Sequence, residues 1–197
     1  MKVQAQHLRA LTTLFSGASP LRKIAAGVLL LGALAGAIWP GSASRAERAD
    51  ASQIEGVVVG VADGDTITVL DDSRQQHKVR FAFIDAPEKA QPFGTKAKQV
   101  LSDKLYRQQV RVEVLEQDRY GRNVGRIWLG DEDVNLGQLR AGYAWHYQQY
   151  ARKGQSAQEF RLYEQAQQAA QQQRQGLWHD TAPVPPWDFR RQRRAGQ

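Results

Sequence analysis

Between Ile54 and Leu129 apolar and polar positions alternate in short runs separated by turn-forming residues, the pattern of a small, mostly antiparallel sheet. The spacing predicts strands over 54–61, 66–70, 78–84, 110–114 and 124–129. Val110, Val112 and Val114 alternate strictly with Arg111 and Glu113, so one face of that strand is wet. Ala62-Asp63-Gly64-Asp65 and Asp71-Asp72-Ser73-Arg74 supply turns between the first three strands. The period then changes. Ala97, Leu101 and Leu105 recur every four residues and predict a helix over 95–108. A short helix fits 135–141, closed by Gly142. Ser156-Ala157-Gln158-Glu159 has the form of a capping box opening a helix that runs to about Gln175 and stops at Gly176. Five strands followed by about three helices predict an α+β domain, a five-stranded barrel with helices packed on it.

The N-terminal pattern is different. An unbroken apolar run of 16 residues, 24–39, follows Arg22-Lys23 and precedes Pro40-Gly41-Ser42-Ala43-Ser44. A basic flank, an apolar stretch and small residues are the parts of an export signal. The run exceeds the usual ~7–15 residues of a signal's apolar region and falls short of the ~20 of a comfortable membrane span. Export to the periplasm or the exterior is therefore expected, with cleavage near Ala43 or Ala46, or with residues 24–39 kept as a membrane anchor. The expected organisation is a targeting segment over 1–44, a linker over 45–53, the folded domain over 54–182 and a Pro- and Arg-rich tail over 183–197.

Charge changes the picture less than it first suggests. The 197-residue chain carries a net charge of +7. Residues 1–44 hold four basic residues and no acid, and four arginines lie from Arg190 onward. The stretch between has 19 basic against 20 acidic residues, so overall basicity does not argue that the domain binds a polyanion. The Arg-rich tail fits loose contact with nucleic acid or anionic lipid, and equally a solubilising end. With no cysteine, disulfides and thiolate metal sites are excluded. His77, His146 and His179 lack metal-ligand spacing, and neither a P-loop nor a Gly-x-Ser-x-Gly elbow is present.

Candidate chemistry concentrates in three turns. The third strand carries Arg80 and leads into Asp85-Ala86-Pro87-Glu88, where Pro87 leaves the chain little freedom. Asp63 and Asp65 flank Gly64 in the first turn. If the second and third strands pair antiparallel, the start of one meets the end of the other, which brings Asp65 to Asp85. Oxygen ligands without His or Cys suit a hard cation such as Ca²⁺, completed by carbonyls and water. Asp118-Arg119-Tyr120-Gly121-Arg122 adds a second arginine beside a glycine. Paired guanidinium groups match the equatorial oxygens of a phosphoryl group in transfer.

With these pieces in order, the chain resembles the staphylococcal nuclease (thermonuclease) family. The matching motifs continue with Gln91-Pro92-Phe93-Gly94, Asp133-Val134-Asn135, Gly142-Tyr143-Ala144-Trp145, Gly176-Leu177-Trp178 and Pro186-Trp187, spanning residue 54 to about 189. The resemblance implies an OB-fold barrel with helices, monomeric, hydrolysing DNA and RNA with Ca²⁺ to products bearing 3′-phosphates. It implies Asp65, Asp85 and the Ala86 main-chain carbonyl as the calcium site, where the family can have threonine in place of Ala86, with Asp63 close by through water. It implies Glu88 as general base and Arg80 and Arg122 as the groups that stabilise the phosphate. Tyr143, Trp145, Tyr147 and Tyr150 are candidates for stacking on a base. The alternative is a nucleic-acid-binding module that keeps the fold without strong catalysis. Retention of Arg80, Asp85, Glu88 and Arg122 together favours the enzyme.

Overall fold

A computed structural model describes residues 52–196. The apolar run at 24–39, and with it the expected targeting segment, lies outside the described residues. Five long strands form the barrel: β1 (Gln53–Val61), β2 (Thr66–Asp71), β3 (Gln76–Phe81), β5 (Gln109–Gln117) and β6 (Asn123–Leu129). Antiparallel pairing runs β3-β2-β1-β5-β6, and a parallel pairing of β3 with β6 closes the ring. Closure removes the unpaired edges that an open sheet would expose. Two short strands, β4 (Ile84–Asp85) and β8 (Trp145–His146), pair as a separate ribbon, and β7 (Glu132–Asp133) extends β6.

The interior is filled from the alternate positions that the sequence pattern marks. Val58, Ile67, Val69, Val79, Phe81, Val110, Val112 and Ile127 are buried in one cluster with Leu101 and Leu105. Those two leucines and Ala97 come from α1 (Gly94–Leu105), and each such leucine contributes about 2 kcal/mol by burial. The predicted helix runs to 108, but α1 ends three residues sooner. Tyr106 is extended and Arg107 takes a positive φ of 65°, turning the chain directly into β5. The predicted helix at 135–141 is α2 (Val134–Arg140). Two further helices lie where the sequence pattern predicts none: α3 (Gln148–Gly154) and α5 (Pro186–Ala195). Among the described residues no helix is long and apolar enough to cross a membrane.

The capping box is present at the start of α4 (Ala157–Gln172). Ser156 Oγ accepts from the Glu159 N–H at 3.3 Å and the Glu159 carboxylate accepts from the Ser156 N–H at 2.9 Å. Glu159 also pairs with the mostly buried Arg126 of β6 at 2.7 Å, tying helix to barrel. Partial burial opposes the charge on Glu159, but the Arg126 bond and the cap outweigh it and bring the carboxyl down to about 2. A carboxyl held below its unfolded range adds stability above its ordinary pKa near 4.5 and loses it as pH falls toward 2. Glu159→Gln is expected to flatten that part of the acid-unfolding curve, followed by circular dichroism between pH 5 and pH 2.

Candidate active site

The site begins with strand register. Thr66 of β2 lies opposite Arg80 of β3, and the Phe81 N–H donates to the Asp65 carbonyl at 2.8 Å. The start of one strand therefore meets the end of the other, as the sequence implies. The predicted third strand does not run on to Ile84. It breaks after Phe81 because Phe83 adopts a positive φ of 67°, and the chain resumes as β4 on a different ribbon. Asn135 holds the break. Its buried side-chain amide donates to the carbonyls of Ala82 (2.9 Å) and Gly125 (3.2 Å) and accepts from the Ile127 N–H (3.0 Å). Asn135→Ala strips this partner from the Ala82 carbonyl and the Ile127 N–H, while the Gly125 carbonyl still accepts from the Ala82 N–H at 2.7 Å, and a loss of about 2 kcal/mol is expected in urea unfolding.

The break redirects Asp85 back over Arg80. The Arg80 guanidinium spans two carboxylates, with Nη1 on Asp65 Oδ1 at 2.9 Å and Nη2 on Asp85 Oδ1 at 2.7 Å. Both carboxylates are buried, and Asp65 also accepts from the Ala86 N–H (2.8 Å) and the Thr66 hydroxyl (3.1 Å). Burial pushes the Asp65 carboxyl up to about 6; Arg80 pulls it down and Asp63 adds to the rise. Burial raises Asp85 as well, against the pull of Arg190 and Arg80. Asp63 stands beside the pair, its carboxylate accepting from the Asp65 N–H at 3.1 Å.

Close packing fixes this first turn. The buried Gln138 side chain donates to the Gly64 carbonyl at 2.8 Å. A Cβ at Gly64 would lie 2.7 Å from Cβ of Ala86 and 2.8 Å from Cβ of Ala97, with no flexible side chain to yield. Gly64→Ala is therefore expected to cost about 1–3 kcal/mol, measured by thermal unfolding, and to lower nuclease activity by displacing Asp65.

Glu88 sits on the loop after Pro87, pinned at its backbone, with its side chain half-exposed. Its N–H donates to the Gln91 side-chain oxygen (2.8 Å), and its carbonyl accepts from the Gln91 N–H (2.8 Å). Gly94 follows because a Cβ there would run into the Glu88 carbonyl. Gln91 also donates to the Val184 carbonyl at 3.0 Å, joining the loop to the C-terminal segment.

That segment brings in a residue the sequence reading does not single out. Arg190 of α5 places Nη2 on Asp85 Oδ2 (2.7 Å) and Nη1 on both Asp85 Oδ1 (3.2 Å) and Glu88 Oε1 (2.7 Å). The available signal was the helix start: Pro186 at the first position, Asp188 in the first turn, and Arg190 one turn beyond Trp187.

Arg122 lies elsewhere. Its guanidinium is paired with Asp118 at 2.7 Å within the β5–β6 turn and lies over the Tyr120 ring. Among the described residues that is its one ion pair, so the structure does not bring it to the carboxylates as Arg80 is brought. Of the aromatic candidates, Trp145 is register-paired with Asp85 on the β4–β8 ribbon and packs edge-on against Trp178 and Trp187. Tyr147 stacks on Trp187 with centroids 4.9 Å apart and planes 8° from parallel, and lies 4.6 Å from Tyr150. Tyr143 is half-buried just past α2, its N–H donating to the Gln138 carbonyl. Of the histidines, His77 pairs with Asp71 at 2.7 Å and His146 is buried with Nε2 on Gln155.

Among the described residues no three His, Cys, Asp or Glu side chains converge as a ready-made metal cage. The donor set nevertheless fits a hard cation that takes part of its shell from water. Asp65 and Asp85 are buried all-oxygen donors linked through one guanidinium, and burial disfavours their negative charge, which a bound cation would offset.

Fold and site together define an OB-fold α+β domain in which three carboxylates interleave with two guanidinium groups at one end of the barrel, a setting suited to a phosphodiester. Comparison with known proteins agrees. A family model described as staphylococcal nuclease homologue matches residues 78–180. An uncharacterized endonuclease of Haemophilus influenzae is 42% identical over 135 residues, 68% of this chain and 72% of the relative. A micrococcal nuclease of Shigella flexneri is 39% identical over 149 residues, 71% of this chain and 82% of the relative. Protein ParB of Escherichia coli is 39% identical over 150 residues, 72% of this chain and 81% of the relative. The chain belongs to the staphylococcal nuclease homologue family and is a nuclease.

Proposed function

We propose that the protein is a calcium-dependent nuclease hydrolysing DNA and RNA with little sequence preference, using Glu88 as general base and Arg80 as a phosphate-stabilising group. The observation that carries this reading is the convergence of Asp65, Arg80 and Asp85 from a turn and a strand end onto one spot, to which Arg190 links Glu88 through Asp85. Asp65 and Asp85, with the Ala86 carbonyl, would hold Ca²⁺, which when bound supplies positive charge to the phosphate oxygens. Glu88 is half-exposed, bound to Arg190 through Oε1 and leaving Oε2 to meet water, as a base needs. Taking a proton there lets the water oxygen bond to phosphorus while the bond from phosphorus to the 5′-oxygen breaks. The 3′-phosphate remains on the first product, and the departing 5′-oxygen takes a proton from solvent. Arg80 offsets the charge that grows on the non-bridging oxygens. Arg122 would join it on substrate binding, leaving Asp118. Contacts to phosphate carry no base information, so broad specificity follows.

The aromatic group formed by Trp145, Tyr147 and Trp187 borders Asp85 and offers rings for a nucleobase adjoining the attacked phosphate. Supporting export is the basic-apolar-small pattern of residues 22–44, and N-terminal sequencing of the mature protein tests it. A new N-terminus near Ala43 or Ala46 is expected if the segment is cleaved. An intact Met1 in the membrane fraction would mark an anchor, and an intact Met1 in the cytoplasm would refute export. The enzymatic test is hydrolysis of single-stranded DNA by the purified protein with excess Ca²⁺ or excess chelator. Turnover with Ca²⁺ and none in chelator is expected; equal rates would refute calcium dependence.

A further inference from the structure

Arg190 lies outside residues 78–180, the stretch matched by the family model, yet its contacts are with the centre of the site. The helix that carries it is held by three separate contacts. Pro186 is buried, Trp187 stacks on Tyr147 and meets Trp145 edge-on, and the Val184 carbonyl just ahead accepts from Gln91. The guanidinium is therefore delivered by an anchored element, in contrast to the exposed Arg191, Arg193 and Arg194 on the same helix.

Counting donors shows what remains for a ligand. A guanidinium has five N–H groups. Three are engaged: both of Nη1, on Asp85 Oδ1 and Glu88 Oε1, and one of Nη2, on Asp85 Oδ2. The Nε–H and the second Nη2–H have no hydrogen-bond partner among the described residues, and the side chain is one-third exposed. Glu88 is bound through Oε1, leaving Oε2 to accept from water. One group thus fixes a buried carboxylate and the half-exposed carboxylate beside it while presenting two free donors to the same opening.

We propose that Arg190 is a further substrate-contacting arginine of the nuclease site, holding Glu88 in place through Oε1 and donating its two free N–H groups to the non-bridging oxygens of the attacked phosphodiester. The proposal rests on Glu88 as the base. It makes the C-terminal helix part of the active site, and it supplies a cation next to Asp85 already in this structure, where Arg122 is bound to Asp118.

The test compares full-length wild type, Arg190→Ala, Arg190→Lys and Glu88→Gln on single-stranded DNA with Ca²⁺, separating kcat from KM and recording the melting temperature of each. Arg190→Ala is expected to lower kcat/KM about 10²-fold, with most of the loss in kcat, because the lost donors act where charge develops. Arg190→Lys is expected to recover only part, since an ammonium cannot bridge two carboxylates and still face a phosphate. Millimolar guanidinium ion added to Arg190→Ala is expected to restore activity several-fold, which a merely structural role would not produce.

Wild-type kcat/KM in Arg190→Ala would overturn the proposal, and so would a rate increase, which would make α5 an obstructing plug. If Arg190→Ala does not fold, Arg190→Lys carries the test, and a wild-type kcat in that variant overturns it. Glu88→Gln separates the two readings. Full activity there removes the base assignment on which the proposal stands, whereas its loss together with an unaffected Arg190→Ala removes the Arg190 proposal alone.

Discussion

Glu88→Gln lowers kcat at least ~10²-fold while leaving the melting temperature within a few degrees of wild type; that is the expected result if Glu88 takes the proton from the attacking water. The amide retains the size and an oxygen acceptor, and the backbone clamp to Gln91 does not involve the changed atoms. What disappears is basicity at a carboxylate open to water, whereas Asp65 and Asp85 are both buried. The ion pair with Arg190 is lost too, but with Glu88 40% exposed that pair contributes little to stability. A rapid-quench measurement at saturating Ca²⁺ distinguishes lost chemistry from weakened binding. An undiminished kcat would remove Glu88 from the role.

Arg80→Ala is expected to damage both activity and stability. The side chain bridges two buried carboxylates, and its removal leaves them facing one another with only Arg190 on the Asp85 side. Losing one partner of a buried charged pair costs about 3–5 kcal/mol. Activity is expected to fall by 10²–10³-fold with the loss of a donor aimed at the phosphate. The pH dependence has a definite sign. Burial already holds Asp65 near 6, above its unfolded value of 3.8, so the native state binds that proton more tightly than the unfolded chain does. The resulting benefit is present in acid and is lost as pH rises through that window. Without Arg80 both carboxyls climb further, so Arg80→Ala should be markedly more stable near pH 5 than near pH 8 when unfolded in urea with chelator present. A variant with wild-type stability at pH 8 would mean that the Arg80 bridge contributes little.

The strands and the acid cluster were legible because each follows from short-range pattern. Alternation marks strands such as that at Val110–Val114, and the turn at Asp71–Ser73 suggests pairing β2 with β3, from which antiparallel register would bring Asp65 to Asp85; in the structure that register sets Thr66 opposite Arg80. The capping box at Ser156 was legible for the same reason: both partners are three residues apart. What could not be read depends on contacts distant in sequence. The run to Ile84 has the composition of one strand, and it breaks at Phe83 because Asn135, 53 positions away, takes the Ala82 carbonyl. Arg190 escaped because its partners lie 102 and 105 positions away, and a tail of arginine and proline has the composition of solvated chain. Arg122 shows the opposite limit. The motif located the residue, but local pattern could not tell whether its guanidinium faces Asp118 or the carboxylates.

On the proposed function, the short strip from Arg80 to Glu88 is the centre of the molecule's chemistry, joined by Asp65 from one turn and Arg190 from the last helix. The measurement that tests this most directly is the initial rate of single-stranded DNA hydrolysis as a function of free Ca²⁺ for wild type and Asp85→Asn. Wild type should show a saturable rise from a rate indistinguishable from zero in chelator, and Asp85→Asn should remain near that floor at Ca²⁺ concentrations that saturate wild type. A wild-type rate that persists in chelator, or an Asp85→Asn curve that overlays the wild type, would contradict a calcium-dependent site built on this strip.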